Sequence, residues 1–173
     1  MCVLVHVGTD RDVPEIPETT PPSPFLAKKV DDRLPEVRGK YIYYCGSHEW
    51  CGCGFDKRRL PEDLLRDTQA GLELGEFSDD LVGRWYDMVY SPPPQNPEDL
   101  AEFVERLAKG NESVAALDRF IADARPADVR VCWAGAEMEP PDEIITIPRG
   151  QTLTMPFHEF HEDWSLNRLY RFE

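Results

Sequence analysis

Prolines decide where this chain can be helical. Sixteen of its 173 residues are proline, nearly twice the ordinary frequency of roughly 5%, and they fall in clusters. VPEIPETTPPSP spans 13–24, SPPPQNP spans 91–97, and Pro126 stands alone. Proline lacks a backbone N–H, clashes with the preceding turn and drives its predecessor toward extended backbone. SPPPQNP breaks the chain between two segments that read as helical, 61–90 and 97–125, and Pro126 stops the second. The stretch 13–24 must cross the surface in extended form.

Within those segments the apolar spacing is helical. Leu60-Pro61-Glu62-Asp63 places proline and acids in a first helical turn, where the orphan N–H groups and the helix dipole favour them. The segment through Tyr90 reads as helix in part, interrupted at Gly71, Gly75 and Gly83. Asn96 caps a helix opened by Pro97, with Leu100, Phe103, Val104 and Leu107 at i, i+3, i+4 and i+7. Lys109-Gly110 is expected to close it. Asn111 then caps a second helix, with Val114, Leu117, Phe120, Ile121 and Ala124 on one stripe.

Outside those segments the pattern is β. Lys40-Tyr-Ile-Tyr-Tyr-Cys45 is filled with aromatic and β-branched residues and ended by Gly46. Residues 2–7, 129–133, 143–147 and 166–172 read as further strands, and Phe25–Val30 as a short or edge strand. Strands, then helices, then strands imply an α+β fold over 1–173: a single domain with a mixed sheet and helices packed on one face. The acidic stretch 61–95 stands out as a helical insert.

The formal charge is −14, and all of it lies in 61–173, because 1–60 carries nine acids and nine bases. An acidic surface repels phosphate backbones, so nucleic acid is not an expected partner. A solvated surface explains the charge; a protein partner docking on the acidic face of 61–173 is the alternative. No run approaches the roughly 20 apolar residues of a membrane helix. The opening MCVLVHVG lacks the basic start of a signal peptide, so a cytoplasmic protein that does not engage membranes is expected.

Five cysteines in such a compartment are free thiols, metal ligands or packing groups, not a disulfide framework. Three of them sit in Tyr43-Tyr44-Cys45-Gly46-Ser47-His48-Glu49-Trp50-Cys51-Gly52-Cys53-Gly54-Phe55. Cys51 and Cys53, one residue apart in extended backbone, point to the same side. His48 lies three residues upstream across a turn. Soft thiolates with an imidazole suit zinc or copper(I). Cys2 is the expected fourth ligand, since 2–7 and 41–45 are expected to pair. Cys45, His6, and His158 with His161 are alternatives. The metal set read from the sequence is therefore His48, Cys51, Cys53 and Cys2.

The same residues admit other readings. Lys57-Arg58-Arg59 follows the thiols, and cations stabilise thiolate, so Cys51 or Cys53 could be a nucleophile with His48 as base, or the two a redox pair. Loss of Met1 would expose Cys2 as an N-terminal nucleophile, but the accompanying motifs of such enzymes are absent. Structural cysteines in a non-enzymatic acidic interaction protein, of immunity or inhibitor type, complete the set. No G-x-G-x-x-G, P-loop, G-x-S-x-G or H-E-x-x-H occurs, and no reaction is assigned.

The MC start, the YY-x-G-S-H-x-x-C-G-C-G-F segment and Arg130-Val-Cys-Trp-Ala-Gly135 resemble a family of small uncharacterised bacterial proteins. The resemblance covers the first strand, 41–55 and roughly 128–141, and carries no established activity. Trp50 stands where that pattern takes a smaller residue.

Overall fold

Tyr41–Ser47 (β3) forms the strand that its aromatic and β-branched residues call for, and it lies between two others. In the computed structural model, which describes residues 2–19, 23–31, 33–55, 60–89, 91–151 and 167–173, β3 pairs antiparallel with Val3–Thr9 (β1) and with Phe25–Val30 (β2). Ala127–Trp133 (β4) pairs antiparallel with β1 on its other side. Asn167–Phe172 (β6) follows β4, and Glu143–Ile147 (β5) adds to β6 in parallel. The six-stranded order is β2-β3-β1-β4-β6-β5. One parallel pair among antiparallel ones makes the sheet mixed, and the fold is α+β, as the element order implies.

Between strands the chain is helical in the segments that the apolar spacing marks: Glu62–Leu74 (α1), Asp79–Val89 (α2) and Pro97–Ala124 (α3). Gly75 takes a φ of 73° at the end of α1, the left-handed cap that glycine adopts without steric cost. Asn96 caps α3 as expected, its Oδ1 accepting from the N–H of Asp99 at 2.8 Å. The expected break at Lys109-Gly110 does not occur, and one 28-residue helix replaces two. A mid-helix glycine costs only about 1 kcal/mol. Burying the stripe Val114, Leu117, Phe120, Ile121 and Ala124 outweighs that at roughly 1.5–3 kcal/mol for each large side chain.

The chain divides into two compact units, 1–57 with 109–173, and 58–108. In the first, the C-terminal half of α3 lies on one face of the sheet. Its stripe packs with Val3, Val5 and Val7 of β1, Tyr43 and Cys45 of β3, Val129 and Val131 of β4, and Tyr170 and Phe172 of β6. The Tyr43 hydroxyl donates to the carbonyl of Val13 at 2.7 Å and accepts from its N–H at 2.9 Å. That pair of bonds fastens the proline-rich stretch, whose Ile16 bridges to Ala27 of β2. The unit 58–108 has its own core of Leu64, Leu81, Trp85, Val89 and Leu100. There the Trp85 indole N–H donates to Thr68 Oγ1 at 2.8 Å. Among the described residues no helix is long and apolar enough to cross a membrane.

Candidate metal centre

Strand period 2 sends alternate side chains of one strand to opposite faces. Because Val3, Val5 and Val7 face the core, Leu4 and His6 face the other side, and Tyr44 lies across from His6 on β3. Past β3 the chain turns back at the end of the sheet where β3 stops beside the start of β1. The N–H of Trp50 donates to the carbonyl of Ser47 at 2.8 Å, and the N–H and hydroxyl of Ser47 both donate to the carbonyl of Cys51, at 3.0 and 2.7 Å. The Tyr44 hydroxyl donates to the carbonyl of Trp50 at 2.7 Å. A Cβ on Gly46 would stand 2.8 Å from that same carbonyl oxygen, and one on Gly52 2.9 Å from the carbonyl oxygen of Val3. Glycine is needed at both positions for the loop to close on β3 and β1.

That closure brings three sulfurs together. Sγ atoms of Cys2, Cys51 and Cys53 lie within 4.8 Å of one another. Cys2 is held by its carbonyl, which accepts from the N–H of Ala134 at 2.9 Å. Cys53 is held by its sulfur, which accepts from the N–H of Val3 at 3.2 Å. The backbone at 52–54 is a 3-10 turn, not the extended strand assumed from the sequence. The two sulfurs converge through the turn instead of through strand alternation. A metal bonded to sulfur at about 2.3 Å requires the sulfurs to draw in by somewhat under 1 Å.

The cluster is open on one side. Cys2 and Cys53 are exposed and Cys51 is intermediate. Burial pushes the Cys51 thiol up to about 12, with the neighbouring Cys53 thiol adding to the rise and the Cys53 backbone N–H opposing it. Burial likewise pushes the Tyr44 hydroxyl up to about 12, helped by the charge of Cys51 and Cys2 beside it. Unmetallated Cys51 is therefore a thiol at neutral pH and a poor nucleophile. A bound cation would reverse this, since a coordinating thiol is deprotonated outright.

His48 does not join the sulfurs. Its Nδ1 lies 3.1 Å from Ser113 Oγ and its backbone N–H donates to the same oxygen at 3.2 Å. Its Nε2 lies 3.8 Å from a carboxylate oxygen of Glu49. Sequence spacing placed His48 beside Cys51 and Cys53, but the turn at 47–50 sends its ring toward α3. Of the alternatives, Cys45 faces the apolar core, fully buried, and His6 packs against Tyr44 with ring centroids 5.6 Å apart. His158, His161 and Lys57-Arg58-Arg59 lie outside the described residues. Among the described residues no fourth His, Cys, Asp or Glu completes the group. Tyr44 and the left-handed Trp50 (φ 63°) belong to the site as well; the period of β3 is the signal in the sequence for Tyr44. No family model matches the chain, nor does any curated protein or solved structure to which it was compared.

Proposed function

We propose that this is a metal-binding protein whose centre is the thiolate triad of Cys2, Cys51 and Cys53, and that its ion is zinc or copper(I). The supporting observation is the approach of three sulfurs from two separate segments to within 4.8 Å. Thiolates are soft donors, and an all-sulfur set selects zinc or copper(I) over magnesium, calcium or manganese. Three protein ligands with an exposed side leave one position for water or an incoming ligand at zinc, the arrangement of catalytic rather than structural sites. Packing does not account for these cysteines, because two of the three are exposed.

The test is elemental analysis of purified, tag-free protein, with zinc and copper(I) titration of the apo form. Near-stoichiometric metal that is lost in Cys2→Ser or Cys53→Ser supports the reading. Metal-free protein that takes up neither ion, or that takes them up equally well without Cys53, defeats it and leaves the acidic interaction protein with structural cysteines.

A further inference from the structure

The second face of the sheet treats two buried charges on β4 in opposite ways. Asp128 is 1% exposed and is answered by Arg38, whose Nε and Nη2 donate to its two oxygens at 3.0 and 2.8 Å and whose backbone N–H donates at 2.9 Å. Arg130, two residues along the same strand and face, is 0% exposed, and among the described residues no carboxylate pairs with it. Its Nη2 donates to the carbonyl of Glu139 at 2.7 Å and to Oδ1 of Asn167. Its Nε and Nη1 are buried with no hydrogen-bond partner among the described residues. A guanidinium has five N–H donors and is always charged; beside it the Cys132 thiol is a weak acceptor, and no carboxylate among the described residues answers the charge. Taking an ion out of water is costly unless an opposite charge and hydrogen bonds compensate it.

Strand residues on this face include Lys28, Arg130 and Arg171 with the acid Asp128, and the acid Glu137 acts on the neighbouring Cys132. His6 lies directly across from Arg130 on β1, Leu169 across from it on β6, and Cys132 next on the same face. Set among an imidazole, a thiol and an aliphatic side chain, the guanidinium can offer charge-assisted hydrogen bonds to an oxyanion.

We propose that Arg130 is the anchor of a binding site for an oxyanion group, carried by a carboxylate or a phosphate, on the second face of the sheet between β1 and β6. The ligand oxygens take the N–H groups of Nε and Nη1, while Glu139 and Asn167 hold Nη2 and fix the plane of the guanidinium. This site is independent of the thiol triad and stands whether or not the triad binds metal.

The test uses full-length, metal-free protein in chloride buffer, to which inorganic phosphate or acetate is added at matched ionic strength. Unfolding temperature and the side-chain Nε–Hε resonance of Arg130 are followed. Saturable binding of one of the two is expected. It should raise the unfolding temperature by roughly 5–10 °C at a hundredfold excess over the dissociation constant and shift the Arg130 resonance. Preference for phosphate or for acetate identifies the carrier. Arg130→Met should fold, having lost a buried charge, and should lose both responses, whereas Cys53→Ser should keep them. Should Arg130→Met fail to fold, the resonance of the wild-type protein decides alone. Absence of any response beyond chloride overturns the proposal, as does an Arg130 resonance that stays fixed while the protein binds anion, or a response that survives in Arg130→Met.

Discussion

The two faces of one sheet are built on different rules. Along β4 the residues alternate Ala127, Val129 and Val131 on one side with Asp128, Arg130 and Cys132 on the other. The first set meets the stripe of α3 and is almost wholly apolar, so its stability scales with area removed from water. The second set is just as buried but polar, and each of its groups needs a specific partner. The lesson is that burial alone does not mark a core. The face whose buried groups demand partners is also where a cation, Arg130, stands without a carboxylate among the described residues.

The sharpest way to break this contrast is to place a charge on the apolar face. Val129→Asp puts a carboxylate among Val5, Val131 and Tyr170, where nothing answers it. A loss of more than about 4 kcal/mol is expected in denaturant unfolding, enough to unfold a domain of marginal stability. A cost below about 1 kcal/mol would mean that this face is not the dry one.

Metal comes next in size. At a hundredfold excess over its dissociation constant, an ion bound only by the folded state stabilises by about 2.7 kcal/mol. Zinc or copper(I) should therefore raise the unfolding midpoint of the wild type, and EDTA should return the zinc form to the starting value. Cys51→Ser should be indifferent to both treatments, and because thiols must lose protons to bind, affinity should rise with pH. An identical midpoint with and without metal would dismiss the three cysteines as a metal centre.

Within the second face, Arg38→Ala separates answered from unanswered charge. It strips Asp128 of its two side-chain donors but leaves the backbone N–H of residue 38 and Arg171, whose Nε lies 3.7 Å away. The Arg38 side chain is 64% exposed, so solvent screens the pair and the expected cost is about 1–2 kcal/mol. Loss of no stability would show that Asp128 is satisfied by backbone alone.

Much of this was legible in the sequence, because proline placement and hydrophobic period are local signals. The β1–β3 pairing and the helical segments followed from them, whereas Cys51 and Cys53 converge through a 3-10 turn and not through the extended backbone expected. The failures lie where tertiary contact overrides local preference. Gly110 and Asn111 look like a helix end, yet the buried stripe beyond them carries α3 through. His48 shares a short segment with the thiols, but direction in a turn depends on the hydrogen bonds of Ser47 and Ser113, which spacing does not reveal. Nothing in V-R-V-C-W marks Arg130 as buried, since an arginine is ordinarily exposed. Only the register with β1 and β6 shows it buried.

The buried cysteines extend the comparison to pH. Burial pushes up both Cys45 on the apolar face and Cys132 on the polar one, but beside Cys132 the Arg130 guanidinium pulls the other way. A thiol whose folded pKa exceeds its unfolded value stabilises fully below the unfolded pKa, near 9, and loses that contribution as pH rises further. Apo protein should thus weaken above pH 9 by no more than about 1.4 kcal/mol per pH unit for each such thiol. Cys45→Ala and Cys132→Ala should each flatten the slope just above pH 9, and the contribution of Cys132 should end at the lower pH because Arg130 opposes its rise. Contributions that end at the same pH would mean that Arg130 does not act on Cys132.

The smallest effect tests the loop that follows β3. Trp50 holds φ at 63° and is 47% exposed, while its carbonyl accepts from the Tyr44 hydroxyl. Left-handed backbone costs a residue with a side chain roughly 1–2 kcal/mol, least for asparagine and most for β-branched residues. The indole contributes some packing in return, so removal of the ring alone is ambiguous. Comparing Trp50→Asn with Trp50→Val cancels that loss, because both variants lack the ring and differ in their tolerance of positive φ. The asparagine variant should be the more stable of the two by about 1 kcal/mol, and its metal affinity should match the wild type, since the loop keeps its course past Gly46. If the valine variant is as stable as the asparagine one, the turn is not strained, and the position of Cys51 rests on the Ser47 and Tyr44 hydrogen bonds alone.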